Sequence, residues 1–156
     1  MKISLISPAH KLPEWQQQGF VHYAKRLRHP WSLNVLEPAI VKRQRHGAMQ
    51  TIKQQEAANI QALVPRGACT IALDQHGESL NSETLAKKLA ALQQHHSRLC
   101  LLVGGPDGLD AQLMKDCSQV WSLSPCVFPH GLVRVIVAEQ LYRAIAQLQN
   151  HPYHRQ

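Results

Sequence analysis
The chain has 156 residues and a formal net charge of +7, with 17 Lys and Arg against 10 Asp and Glu, and 10 His. No apolar run approaches the ~20 residues that cross a bilayer, and Cys69, Cys100, Cys117 and Cys126 form no Cys-x-x-Cys pair, so a membrane span is excluded and a zinc or disulfide framework lacks its spacing. One domain over residues 1–156 is predicted, cytosolic, metal-free, with reduced and mostly buried thiols.

Lys2–Ser7 is short, ends at Pro8 and reads as a strand; its few aliphatic residues do not make the apolar core of a signal peptide. Pro13 stands where a helix begins, and Phe20, Tyr23, Ala24 and Leu27 then fall on one helical face. Trp31–Leu36 reads as a second strand, closed by Pro38. A helix is predicted from Gln50 to Val64, with Ile52, Ile60 and Leu63 as its apolar stripe and Pro65-Arg66-Gly67 as its end. Ala68–Leu73 has the small and branched apolar residues of a strand buried on both faces. Asp74 to Asn81 reads as a loop, after which Ser82 caps a helix bearing Leu85, Leu89 and Leu92. Leu99–Val103 is the most apolar strand and runs into a glycine turn, Val103-Gly104-Gly105-Pro106-Asp107-Gly108. A short helix near Asp110–Cys117 and a short strand near Val120–Leu123 follow. Val133, Val137, Leu141, Ala144 and Leu148 mark an amphipathic last helix. This alternation predicts an α/β fold, a mainly parallel sheet flanked by helices.

Charge is distributed unevenly. Residues 1–66 carry ten Lys and Arg against three Asp and Glu, whereas residues 67–156 carry seven of each. The excess is densest at Lys25-Arg26-Leu27-Arg28 and at Lys42-Arg43-Gln44-Arg45-His46, which predicts a polyanion-facing surface beside a separate chemical site.

In open parallel sheets ligands bind beyond the carboxyl ends of the strands, where Leu73-Asp74, Gly104-Gly105 and Leu123 to Phe128 are expected to arrive. Glycines there let backbone approach a ligand without a Cβ clash, although a tight strand-to-helix connection would use them equally. Neither Gly-x-Gly-x-x-Gly nor a Gly-Lys-Ser/Thr loop is present, so a Rossmann dinucleotide site and an ATPase lack their signatures. Ser122 and Ser124 lack the Gly-x-Ser-x-Gly elbow of a serine hydrolase. Glu139 and Arg143, one turn apart, read as an intrahelical ion pair. His130 occupies the helix entrance, and Arg134 lies one turn on, near a helix start where anions bind. The chain closes on Asn150-His151-Pro152-Tyr153-His154-Arg155-Gln156. Tyr offers a stacking face to a nucleobase, neutral His accepts a proton near pH 7, and Arg stabilises negative charge. The tail reads as a strap over a site that works on a nucleobase; the alternative is a tail that packs back on the fold.

Gly104-Gly105-Pro106-Asp107-Gly108-Leu109, Trp121-Ser122-Leu123-Ser124, Pro129-His130, Leu132-Val133-Arg134-Val135, Glu139-Gln140-Leu141-Tyr142-Arg143-Ala144 and the terminal motif closely resemble, in order, those of the RlmH family. The resemblance runs the full length. It departs at Asp107, where the family carries Glu, and at Gly131, where it carries Pro; Gly131 predicts a looser entrance to the last helix. RlmH enzymes are SPOUT-class methyltransferases acting on a pseudouridine in large-subunit (23S) ribosomal RNA. The resemblance implies a C-terminal trefoil knot, an exception to the rule that chains are unknotted, together with a homodimer, a ribosomal RNA substrate and S-adenosylmethionine as methyl donor. It implies cofactor contacts, largely through backbone, at Leu73, Gly104, Leu123, Ser124, Pro125, Cys126, Val127 and Phe128. Catalysis would fall to Arg155 as anion stabiliser, His154 (or a water) as proton acceptor and Tyr153 as the group orienting the base. A non-catalytic RNA-binding ribosome factor, an ordinary nucleotide-binding enzyme and a SPOUT enzyme acting on another RNA, such as transfer RNA, are the rival readings.

Overall fold
The computed structural model describes residues 1–8, 12–42 and 48–155, the side chains of His154 and Arg155 excepted. Strands Lys2–Ile6 (β1), Ser32–Leu36 (β2), Cys69–Ser79 (β3), Arg98–Val103 (β4) and Gln119–Ser122 (β5) form one sheet in the order β2-β1-β4-β3-β5. All four pairings are parallel. Helices Glu14–Ala24 (α1), Met49–Leu63 (α2), Ser82–His95 (α3), Ala111–Asp116 (α4) and His130–Leu148 (α5) cover it, and a 3-10 turn, Pro152–Arg155, follows.

Side chains alternate across a strand, and here each strand serves two cores. Ile3 and Leu5 of β1, with Leu99, Leu101 and Val103 of β4, pack against Leu85 and Leu89 of α3 and Val137 and Leu141 of α5. Ile6, Cys100 and Leu102 face the other way, onto Ala57 and Ile60 of α2 and Leu113 of α4. Helices on both faces are what a parallel sheet of continuous apolar strands requires. In α5 the buried residues run as far as Ala146 and leave out Leu148, which is 39% exposed.

Two expectations change. β3 does not stop at Leu73. Leu73 and Glu78 both pair with Trp121, so residues 74–77 buckle outward and the ladder resumes at Glu78 and Ser79. Gly77 permits the return, since a Cβ there would lie 2.7 Å from the Trp121 carbonyl carbon and 2.8 Å from that of Val120. The cap of α3 is Asn81, not Ser82: Thr84 N–H donates to Asn81 Oδ1 at 2.8 Å, and Asn81 N–H donates to Thr84 Oγ1 at 2.9 Å. Ser82 instead donates its hydroxyl to Gln140 Oε1 at 3.2 Å, tying α3 to α5. Gly131, expected to loosen the entrance to α5, is buried there; a Cβ in its place would meet Gln16 Oε1 and Leu12 Cδ2, side-chain ends that can swing aside.

All four cysteines are free; Cys69 and Cys100 are buried, Cys117 is half-buried and Cys126 is exposed. Burial, with a smaller contribution from Cys69, pushes the Cys100 thiol up to about 11. The fold therefore disfavours the thiolate: the stabilisation is complete below the ordinary thiol range and is lost as pH rises from about 9 to 11, by roughly 2–3 kcal/mol in the limit of full titration. Urea midpoints measured at pH 8 and pH 10.5 should fall accordingly, and Cys100→Ala should remove part of that slope. Equal slopes in the two proteins would assign the alkaline loss elsewhere.

Candidate active site
A cavity of about 880 Å³ opens where β3, β4 and β5 end, within the range of small-molecule sites. The outward buckle of β3 contributes Asp74, Gln75 and His76 to one wall. Asp74 Oδ1 holds this buckle in shape by accepting the His76 N–H at 2.9 Å, with the His76 ring Nδ1 at 3.0 Å.

The glycine turn after β4 forms the floor. Gly108 N–H donates to the Gly105 carbonyl at 2.9 Å, and Gly108 takes φ +79°, the left-handed region that glycine enters without strain. The turn folds over Gly104 so closely that a Cβ there would overlap the Gly108 carbonyl carbon and lie 2.5 Å from the Leu109 nitrogen. Asp110 clamps the exit. Its Oδ1 accepts from Gln112 N–H at 2.9 Å and Leu113 N–H at 3.2 Å, capping α4, while Oδ2 accepts from Gln50 Nε2 at 3.0 Å in the first turn of α2.

The segment after β5 makes the opposite wall. Ser122 donates its hydroxyl to the Ser124 carbonyl at 3.1 Å, and Ser124 Oγ accepts the Cys126 N–H at 2.9 Å. Both serines are thus committed to the shape of the loop. Leu123, Ser124, Cys126, Val127 and Phe128 line the cavity, as do Leu73 and Gly104; Pro125 points elsewhere and is exposed. His130 and Val133 bring the start of α5 to the rim. Lys53 of α2, His76 and Met114 of α4 also line it, and no spacing in the sequence marks them. Loop reading hid His76, and the helix positions of Lys53 and Met114 are ordinary.

Arg134 corrects an expectation. Its guanidinium is not offered to an anion at the helix start: it is buried, donates from Nη2 to the Ser7 carbonyl at 2.7 Å and from Nε to Ser7 Oγ at 3.3 Å, and pairs through Nη1 with Glu37 at 2.7 Å. It rivets the cavity end of α5 to the ends of β1 and β2.

The tail packs on α5 elsewhere. The Tyr153 ring lies 4.5 Å from that of Tyr142, its hydroxyl donates to Glu139 Oε1 at 3.3 Å, and the Arg143 guanidinium stands 5.2 Å above it. Arg143 and Glu139 form the expected intrahelical pair, at 2.7 Å, and that hydrogen bond raises the Arg143 pKa. Burial, then the neighbouring Tyr23 and Glu139, hold the Tyr153 phenol well above the usual tyrosine range. Nine residues separate Val133 from Tyr142, about two and a half helical turns, so the ring that seats the tail lies across α5 from the cavity rim. No described tail residue lines the cavity. The side chains of His154 and Arg155, and the basic run Arg43-Gln44-Arg45-His46, lie outside the described residues. Among the described residues no group of His, Cys, Asp and Glu stands ready to hold a metal ion, and no helix is long and apolar enough to cross a membrane.

Residues 1–154 match a family model described as "Predicted SPOUT methyltransferase". The chain is 41% identical over 155 residues to the Ribosomal RNA large subunit methyltransferase H of Legionella pneumophila (strain Paris), covering 99% of each chain. It is 42% identical over 155 residues to the protein of the same name from Coxiella burnetii (strain Dugway 5J108-111), covering 99% of this chain and 100% of the relative. With the one from Xanthomonas oryzae pv. oryzae (strain PXO99A) the identity is 43% over 157 residues and 99% of each chain.

Proposed function
The chain belongs to the SPOUT methyltransferase family, and from that premise we propose that it methylates N3 of a pseudouridine in large-subunit ribosomal RNA, with S-adenosylmethionine as donor. The observation that carries the reading is the cavity, whose walls in this chain are built from the glycine turn and the segment after β5; a relative 41% identical over 99% of each chain is named as a ribosomal RNA methyltransferase. The residues fit the donor. Leu73, Leu123 and Phe128 offer apolar faces for a purine, and the turn from Gly104 to Gly108 exposes backbone where side chains are absent. Lys53, Lys115 and Asp107 supply charge at the polar edge, suited to an amino-acid moiety. When bound, the donor supplies a methyl group made electrophilic by a sulfonium.

The protein's own task is to turn the N3–H into a nucleophile and aim it. His154 or a water takes the N3 proton, Arg155 stabilises the negative charge left on the base, and Tyr153 stacks on or orients it. The raised phenol pKa keeps Tyr153 protonated and so unfit as the base. Positioning and electrostatics supply the acceleration without a covalent intermediate. The tail and the cavity sit across α5 from one another, which supports a homodimer in which a second copy completes the site. A single SPOUT domain over residues 1–156, with its C-terminal trefoil knot and a cytoplasmic location on ribosomes, belongs to the same reading.

Radiolabelled S-adenosylmethionine incubated with the protein and with ribosomes lacking the modification should place label at N3 of one pseudouridine in large-subunit RNA. Label at another position or in transfer RNA would replace the substrate, and no label in any RNA would overturn the reading. Arg155→Ala should lower turnover about 10²–10³-fold, the cost of removing one transition-state donor, while the donor Kd stays within twofold. Unchanged turnover would remove Arg155 from the mechanism.

A further inference from the structure
The uneven charge of the sequence acquires a location. No Asp or Glu occurs between Glu14 and Glu37, and in that interval Lys25, Arg26 and Arg28 fall together at the end of α1. All three are exposed, and none has an ion-pair partner among the described residues. The cations of α3 differ: the exposed Lys87 pairs with Glu83 at 2.7 Å, and the half-buried Lys88 with Glu78 at 2.8 Å. A cation at a helix C-terminus offsets the helix dipole, but that effect accounts for one charge and not for three in four residues.

The patch also touches the tail through a chain of rings. The Arg26 guanidinium stands 5.6 Å over Tyr142, whose ring is 6.3 Å from Tyr23 and 4.5 Å from Tyr153. His22 meets Tyr23 edge-on at 5.0 Å. Exposed, unpaired cations interleaved with aromatic rings suit a nucleic-acid backbone better than an acidic protein surface, because each cation meets one phosphate and the rings tolerate any base.

We infer that Lys25, Arg26 and Arg28 grip the phosphates of the RNA strand that flanks the target nucleotide, on the surface that also seats the tail. The inference rests on the proposed RNA substrate and names the surface that holds it. Binding this strand and presenting Tyr153 are then properties of one rigid unit, α1 against α5. The end of one helix thus supplies a hold on the substrate.

The test compares the full-length wild type with K25Q/R26Q/R28Q and with K87Q, which removes an exposed but ion-paired charge from α3. Because Arg26 also stacks on Tyr142, K25Q/R28Q is measured beside the triple variant. Binding to large ribosomal subunits is followed from 50 to 200 mM salt, with thermal melting as the folding check and donor Kd by calorimetry. For the triple variant, the slope of log K against log salt should shrink by about two to three, and the RNA KM should rise about tenfold or more. The double variant should lose about two-thirds of that slope, and K87Q should match the wild type.

A triple variant with the wild-type slope overturns the inference. So does an equal loss in K87Q, which would reduce the effect to net charge. RNA binding unchanged, with binding to phosphatidylserine vesicles lost, would make the patch a membrane surface instead. Should the wild type bind RNA through this patch and yet transfer no methyl group, the proposed reaction fails and the surface stands.

Discussion
Gly104→Ala should raise the donor Kd at least a hundredfold and lower stability by about 1–3 kcal/mol. The new Cβ meets only backbone, the Gly108 carbonyl carbon and the Leu109 nitrogen, and backbone cannot swing away as a side-chain tip can. The turn must open, and overpacking of this kind costs about 1–3 kcal/mol. The larger consequence falls on binding, because the same atoms form the floor of the cavity, and the loss of about 2.8 kcal/mol of contact there is a hundredfold in Kd. Two other glycines sharpen the test. At Gly105 the added Cβ meets the Glu56 carboxylate, 2.6 Å from Oε2, a side chain that can give, so Gly105→Ala should be milder. At Gly67 nothing lies within 4 Å but φ is +74°, so Gly67→Ala should cost about 1 kcal/mol of stability through strain and leave donor affinity alone. Calorimetric titration with S-adenosylmethionine and urea unfolding separate the two effects. A Gly104→Ala protein that binds the donor within twofold of wild type would mean the floor is not where the ligand sits.

Arg134→Met should lower stability by about 3 kcal/mol and disturb the cavity rim. The guanidinium satisfies the carbonyl and hydroxyl of Ser7, which is wholly buried, and pairs with Glu37, whose side chain is half exposed. Once the guanidinium is gone, Glu37 regains water, but the Ser7 groups do not, and an orphaned buried acceptor costs about 1–3 kcal/mol. Met fills part of the space, which limits the cavity penalty. Glu37→Gln leaves a buried cation short of its counter-charge and should be destabilising in its own right. The double variant should then be little worse than Arg134→Met alone, because the two losses share one interaction. Additive losses in urea unfolding would show that the pair is not the unit described.

Local patterns carried most of the fold. The apolar residues of β1, β3 and β4, the alternation of strands and helices, and the stripe of α5 were legible because burial imposes a period on the sequence. The Gly104–Gly108 turn and residues 123–128 were legible as candidate segments because ligands gather beyond the carboxyl ends of parallel strands, and a cavity is lined there by every residue of the two segments except Pro125. The family motifs added the chemistry that no period contains.

What the sequence did not carry is what depends on a distant partner. The buckle at residues 74–77, and with it His76 in the cavity wall, exists because β5 pairs with β3 in two registers around Trp121. Arg134 had the position of an anion ligand, and only the approach of Ser7 and Glu37 turned it into a rivet between α5 and the sheet. The tail had the residues of an active-site strap, but helical rotation seats its tyrosine across α5 from the cavity. Composition, periodicity and motif order thus determined the α/β layers, the glycine floor and the reaction class, because each is written in neighbouring residues. Register, buried-charge pairing and the face on which a helix presents its ligands were decided by the tertiary structure, because they are properties of two segments meeting and not of either one.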